Sequence, residues 1–251
     1  AGHAHAIAAA CVAARVPTVL ACGGDGTVHE VARALAGGAT ALAVLPCGRG
    51  NDFAGALGLP SRVGAVVETV LGGRVRAVDL GEVNGTPFCT VAAIGFDAEV
   101  AAHVAAGGAV TAGRGAYLAA ALAMLFRYRA PWLRFEGDFG VREGRYLLGA
   151  VANTARYGAG IRIAPDARAD DGLLDCCLVR DLPRLTALRV IPGMYRGAHL
   201  RRPEVEVVRT RELRVTCDRP MPLAADGEVV GEAPARLSVR PAALRVLAPP
   251  G

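Results

Sequence analysis

A chain of 251 residues, 53% hydrophobic and 20% charged, has ample material for one or two cores and is excluded from the disordered class. Its net charge of +5 comes from arginine, with no lysine present, and favours anionic partners such as nucleotides, nucleic acid or acidic lipid headgroups without choosing among them, while no basic run interleaved with aromatics points to a base-stacking platform. Seven scattered cysteines, without Cys-x-x-Cys spacing or a His pair at zinc-finger spacing, read as small core hydrophobes in a reducing compartment.

The periodicities predict a helix over 2–14, a strand over 17–22, a helix over 27–36 and a buried strand over 40–45. A loop from Pro46 to Asp52 follows, then helices near 52–58 and 61–72 and a strand over 77–83. Alternating strands and helices of this kind make an α/β layer on a mainly parallel sheet. Beyond Val83 the pattern changes to short alternating strands, at 132–136, 145–152, 174–179, 205–208, 212–217 and 235–247, with helices at 115–128 and 184–199. This half reads as a β-rich antiparallel sandwich. The expected division is 1–80 for the α/β nucleotide-binding domain and 81–240 for the sandwich, with 241–251 returning to the first. The N-terminus has no signal-peptide pattern, and the most apolar helical window, 116–126, falls short of the roughly 20 residues a membrane span needs. The expectation is a cytoplasmic protein touching membranes peripherally.

The chemistry concentrates in two loops that each follow a strand. Gly23-Gly24-Asp25-Gly26-Thr27 lies between the apolar run Thr18–Cys22 and a helix, where glycines allow backbone amides to approach a phosphate and the helix N-terminus favours negative charge. Asp25 cannot attract phosphate, so its carboxylate points to Mg²⁺ handling or loop orientation. Pro46-Cys47-Gly48-Arg49-Gly50-Asn51-Asp52 follows the next buried strand and would lie at the same sheet edge, where open α/β sheets bind ligands. Taken alone, Asn51 and Asp52 would simply cap the next helix.

GGDGTVHEV, LPCGRGNDFA, VDLGEVNGTPF, YGAGIRIAPDARADDGLLD and ADGE stand in that order from about residue 20 to the end. The combination resembles the bacterial diacylglycerol kinase-like lipid kinases, and GGDGT alone is shared with NAD kinases and phosphofructokinases. The resemblance implies ATP and Mg²⁺ as cofactors. Gly23, Gly24, Asp25, Gly26, Thr27, Val28, His29 and Glu30 would form the nucleotide loop, with Arg49, Asn51, Asp52 and Asp79 supporting it. Glu228 would accept the proton of a lipid hydroxyl, with Asp226 beside it. Arg168 and Leu173, through their carbonyls, and Asp171, through its carboxylate, match a loop binding a structural Mg²⁺.

Read without the resemblance, Asp226 and Glu228 make a charged hairpin turn, and 168–173 a metal-free Asp-Gly turn. His29 is expected at solvent or nucleotide, His103 and His199 at the surface, and Tyr117, Leu118, Leu122, Leu125 and Phe126 in the core. Two departures stand out. The strand and glycine-containing loop that usually open the family are missing, which would leave the chain poorly stable or weakly active, and Arg49 replaces the common threonine. The expected partner is a lipid substrate at the membrane surface, with no nucleic acid and the homodimer question open. A NAD kinase-like soluble kinase and a non-catalytic nucleotide- or lipid-binding remnant are the alternatives.

Overall fold

The computed structural model of the protein describes residues 2–107, 121–158 and 160–249. The first strands are β1 (Thr18–Gly23) and β2 (Ala41–Pro46), parallel and in register from Thr18 opposite Ala41 to Gly23 opposite Pro46. β2 is apolar and buried along Ala41–Val44, as a strand covered on both faces must be, whereas β1 leaves Leu20 and Cys22 exposed at the end of the strand order. Between them runs α2 (Asp25–Leu35), preceded by α1 (His3–Ala13). The spacing of Val28, Val31, Ala32 and Leu35 places all four on the buried face of α2. Left-handed Gly37 (φ 77°) follows the end of that helix.

After α3 (Asp52–Ala56) and α4 (Val63–Gly72), the chain enters the long β3 (Arg74–Val83), β4 (Thr86–Phe88), β5 (Val91–Gly95) and α5 (Phe96–Ala105). Then come β6 (Trp132–Gly137), β7 (Gly140–Ala152), β8 (Leu174–Arg180), α6 (Arg184–Met194), β9 (Val205–Thr210), β10 (Glu212–Cys217), β11 (Met221–Ala225), β12 (Glu228–Ala233) and β13 (Ala235–Ala248). The architecture is an N-terminal α/β domain followed by a β-rich sandwich. β13 joins the two halves: it pairs antiparallel with β10 and β3, and through Val246 it lies parallel to Leu42 of β2. One core gathers Val31, Leu35, Leu42, Phe53, Leu80 and Leu244; a second gathers Phe88, Ile94, Phe135, Tyr146, Leu213 and Leu223.

Several elements differ from the sequence expectation. α2 starts at Asp25, two residues early, because Gly24 already serves as its extended N-cap. α5 was not expected, although Asp97 and Glu99 in its first turn and His103 in its last suit a helix dipole. The stretch 184–199 divides after Met194, and a short 3₁₀ turn over Ala198–Arg201 follows left-handed Gly197. Residues 121–125 are helical. Leu125 is buried, but Leu122 and Phe126 are exposed, so they are not core; Tyr117 and Leu118 lie outside the described residues.

His199 is likewise buried, not superficial: its Nε2 lies 3.0 Å from the Ile163 carbonyl. Burial holds its pKa below the usual 6.5, so the unfolded chain binds the extra proton first as pH falls. The neutral ring therefore contributes stability that is full above about pH 6.5 and lost below it. In urea melts between pH 8 and pH 5, His199→Gln is expected to flatten this acid-side loss; an unchanged slope would assign the loss to other groups.

Candidate active site

The N–H groups at a helix start have no intrahelical acceptor, and in α2 these belong to Gly24, Asp25, Gly26 and Thr27. They stand at the carboxyl end of β1, an arrangement suited to an anion. Gly23 is required there, since a Cβ would lie 2.7 Å from the Thr27 side chain. Val28 contributes differently from expectation. Its N–H already bonds the Gly24 carbonyl (3.1 Å) and its side chain is core, so it offers a phosphate nothing. Glu30 is also reassigned: its carboxylate accepts the N–H groups of Gly2 (2.9 Å) and Ala4 (3.1 Å), capping α1. Those bonds, led by Gly2, hold its carboxyl below the usual range.

The second loop lies against the first, as the parallel register requires. Cys47 N–H donates to the Gly23 carbonyl (2.8 Å), and the two loops touch backbone to backbone at Gly24 and Gly48. Asn51, itself left-handed (φ 52°), does not cap α3 with its side chain; it bonds Gly48 instead, through both N–H (2.9 Å) and carbonyl (2.9 Å). The cap comes from the other loop, where Asp25 Oδ1 accepts the Phe53 N–H (3.4 Å). Asp25 thus stands at two helix N-termini, and Asp52 is buried in the first turn of α3. Arg49 is exposed and has no ion-pair partner among the described residues. A Cβ on Gly48 would sit 2.4 Å from Gly24 Cα, so Gly48→Ala is expected to push the loops apart. It should cost roughly 1–3 kcal/mol, read as a lower melting temperature, and weaken nucleotide binding at least tenfold.

Asp226 and Gly227 form the two-residue turn between β11 and β12, with φ of 52° and 84°, the positive values a type I′ hairpin requires. The turn sends the two carboxylates apart. The Asp226 side chain is buried: it accepts Cys89 N–H (2.8 Å), Thr90 N–H (2.8 Å) and Thr90 Oγ1–H (2.7 Å), and lies 3.5 Å from His29 Nδ1. Glu228 stays 55% exposed and pairs with Arg33 Nη1 at 3.2 Å. Arg33 also donates through Nε to the Pro87 carbonyl (3.0 Å). Asp25, His29 and Arg33 recur every four residues, so they form one stripe along α2, and the hairpin docks on its distal part. His29 is therefore buried beneath the hairpin and not at solvent.

Residues 1–83 match the family model of the diacylglycerol kinase catalytic domain, and residues 90–248 match the model described as the YegS C-terminal NAD kinase beta sandwich-like domain. A diacylglycerol kinase of Mycobacterium tuberculosis is 38% identical over 98% of this chain and 81% of its own length. This chain belongs to the diacylglycerol kinase family. A probable lipid kinase YegS-like protein of Pseudomonas aeruginosa is 36% identical over 100% of this chain and 82% of its own length. A crystal structure of a diacylglycerol kinase from Bacillus anthracis, 21% identical, shares the fold with a TM-score of 0.76, over 99% of this chain and 82% of that one.

One further position of the diacylglycerol kinase pattern, Asp79, has a structural task here. Asp79 is buried and accepts N–H groups from Ala242 (2.7 Å) and Gly172 (2.8 Å), fixing β13 and the 169–172 loop to β3. Asn153, fully buried, donates to the carbonyls of Asp79 (2.9 Å) and Cys89 (2.9 Å), and so links Asp79 to the segment that holds Asp226. The expected metal loop does not fit a cation as folded. Asp171 accepts the Leu173 N–H (3.1 Å) and is paired with the guanidinium of Arg209, which also reaches Asp175 Oδ1 at 3.3 Å. A divalent ion held by Asp171 with the carbonyls of Arg168 and Leu173 would have to displace that guanidinium. Asn153, Thr90, Arg33 and Arg209 were not singled out in the sequence; only Arg33 carried a usable signal, its helical spacing from Asp25.

Proposed function

We propose that the protein transfers the γ-phosphoryl group of ATP to the hydroxyl of a lipid such as diacylglycerol. The observation that carries this reading is the docking of the Asp226–Glu228 hairpin on the helix that opens at the phosphate loop. Arg33, which holds Glu228, lies eight residues from Asp25, about 12 Å along the helix axis, and helical side chains lean back toward the N-terminus. The hairpin thus sets a carboxylate against the same α2 stripe that begins at the nucleotide loop.

The N–H groups of Gly24 to Thr27 would receive the phosphates, with exposed Arg49 able to pair with them. Asp25 fits an accompanying Mg²⁺: among the described residues its Oδ2 makes no bond to protein. That ion neutralises phosphate charge when bound. The acceptor oxygen forms the new P–O bond, the bond to the β-phosphate oxygen breaks, ADP leaves, and Glu228 takes the hydroxyl proton. Exposed Leu122, Phe126 and Trp132 provide apolar contacts for a membrane surface, and among the described residues no helix is long and apolar enough to cross one.

Transfer of labelled γ-phosphate to diacylglycerol and other lipid alcohols in mixed micelles tests the proposal. Labelled lipid that requires Mg²⁺ and is lost in Asp25→Ala is expected. Labelling of soluble acceptors such as NAD in place of lipid, or no transfer by the folded protein, would refute it.

A further inference from the structure

Beneath the hairpin lie three metal-ligating side chains from separate parts of the chain: His29 on α2, Cys89 between β4 and β5, and Asp226 in the turn. Their donor atoms all lie within 4.8 Å of one another. His29 is 4% exposed, yet neither ring nitrogen has a hydrogen-bond partner, an arrangement that costs free energy unless something occupies the imidazole. Its Nδ1 stands 3.5 Å from Asp226 Oδ2 and makes no hydrogen bond to it. That separation is close to the roughly 3.4 Å edge of a tetrahedron built on metal–ligand bonds of about 2.1 Å.

Asp226 retains the capacity to ligate. Its Oδ1 already takes both Thr90 donors, whereas Oδ2 takes only the Cys89 N–H and keeps a lone pair on the His29 side. Cys89 is 1% exposed and among the free cysteines. The neighbouring cation, Arg33, directs two of its nitrogens to Glu228 and the Pro87 carbonyl.

We infer that His29, Cys89 and Asp226 form a binding site for a transition-metal ion of the Zn²⁺ class. One nitrogen, one thiolate and one carboxylate oxygen suit Zn²⁺ or Co²⁺ and not Mg²⁺, which takes oxygen ligands. A water or another small ligand completes the tetrahedron, and the Cys89 thiol releases its proton on binding. The ion ties α2 to the β11–β12 turn and so fixes the hairpin that presents Glu228. The site is separate from the nucleotide's Mg²⁺ and stands whether or not the lipid-kinase reading does.

Metal-stripped protein titrated with Co²⁺ tests the inference without any activity assay. Expected are one equivalent bound, a thiolate-to-cobalt charge-transfer absorption, and a melting temperature raised by about 5–10 °C when free Zn²⁺ is a hundredfold above its Kd. Both signals should disappear in Cys89→Ala and in His29→Ala, persist in a Cys22→Ala/Cys47→Ala variant lacking two exposed thiols, and resist excess Mg²⁺. Folded wild-type protein without the absorption and without the thermal shift, or signals surviving Cys89→Ala, would overturn it.

Discussion

Asp226→Asn is expected to lower the melting temperature by about 5–15 °C, corresponding to roughly 2–4 kcal/mol. The reason is donor arithmetic. Three donors, Cys89 N–H, Thr90 N–H and Thr90 Oγ1–H, converge on two carboxylate oxygens that are almost fully buried. An asparagine of the same shape can serve one oxygen's partners, but its NH₂ then faces an N–H, which leaves two buried donors without acceptors. The substitution also reaches the hairpin, because Asp226 is left-handed (φ 52°) and its carboxylate anchors the turn to the 89–90 segment. Thermal unfolding followed by circular dichroism decides the point: a change under 2 °C would show that the β11–β12 pairing holds the turn unaided. Loss of transfer in this variant would reflect the misplaced Glu228 as well as any direct part played by Asp226, so its kinetics do not isolate a chemical role.

The elements that were legible in the sequence are those whose evidence is local. The run from Thr18 to Cys22 followed by three glycines and an aspartate announces a strand and a tight turn into a helix, and the parallel pairing of β1 with β2 brings both loops to one edge. What was not legible depends on contacts between distant segments. Nothing near Glu30 shows that its carboxylate caps α1, since the donors are at Gly2 and Ala4. His29 looks like a surface residue one turn into an amphipathic helix until the hairpin at 226 closes over it. Arg209 faces Asp175 only through the β8–β9 register, so the pairing that engages Asp171 could not be read from the motif around 168–173. Asp226 and Glu228 stand two apart in sequence, yet a two-residue turn with both φ positive separates a buried carboxylate from an exposed one. The motif was readable and the different surroundings of its two carboxylates were not.

Glu228→Gln should show the opposite behaviour to Asp226→Asn. Its side chain is 55% exposed and its partner is an arginine, so the isosteric amide keeps a carbonyl oxygen for Arg33 and changes stability by no more than about 0.5 kcal/mol. If Glu228 takes the acceptor's proton, removing that basicity should cut kcat by about 10²–10⁴ while the KM for ATP stays within twofold, because the phosphate loop lies at the other end of the α2 stripe. The pair of variants separates two roles that carboxylates of one motif are easily credited with jointly: maintaining the turn and acting from it. Steady-state kinetics at saturating lipid, measured with melting curves of the same samples, give both readouts. A Glu228→Gln enzyme retaining more than a tenth of wild-type kcat would place proton removal elsewhere, and Asp25, which also lies on this stripe, would be the next carboxylate to test.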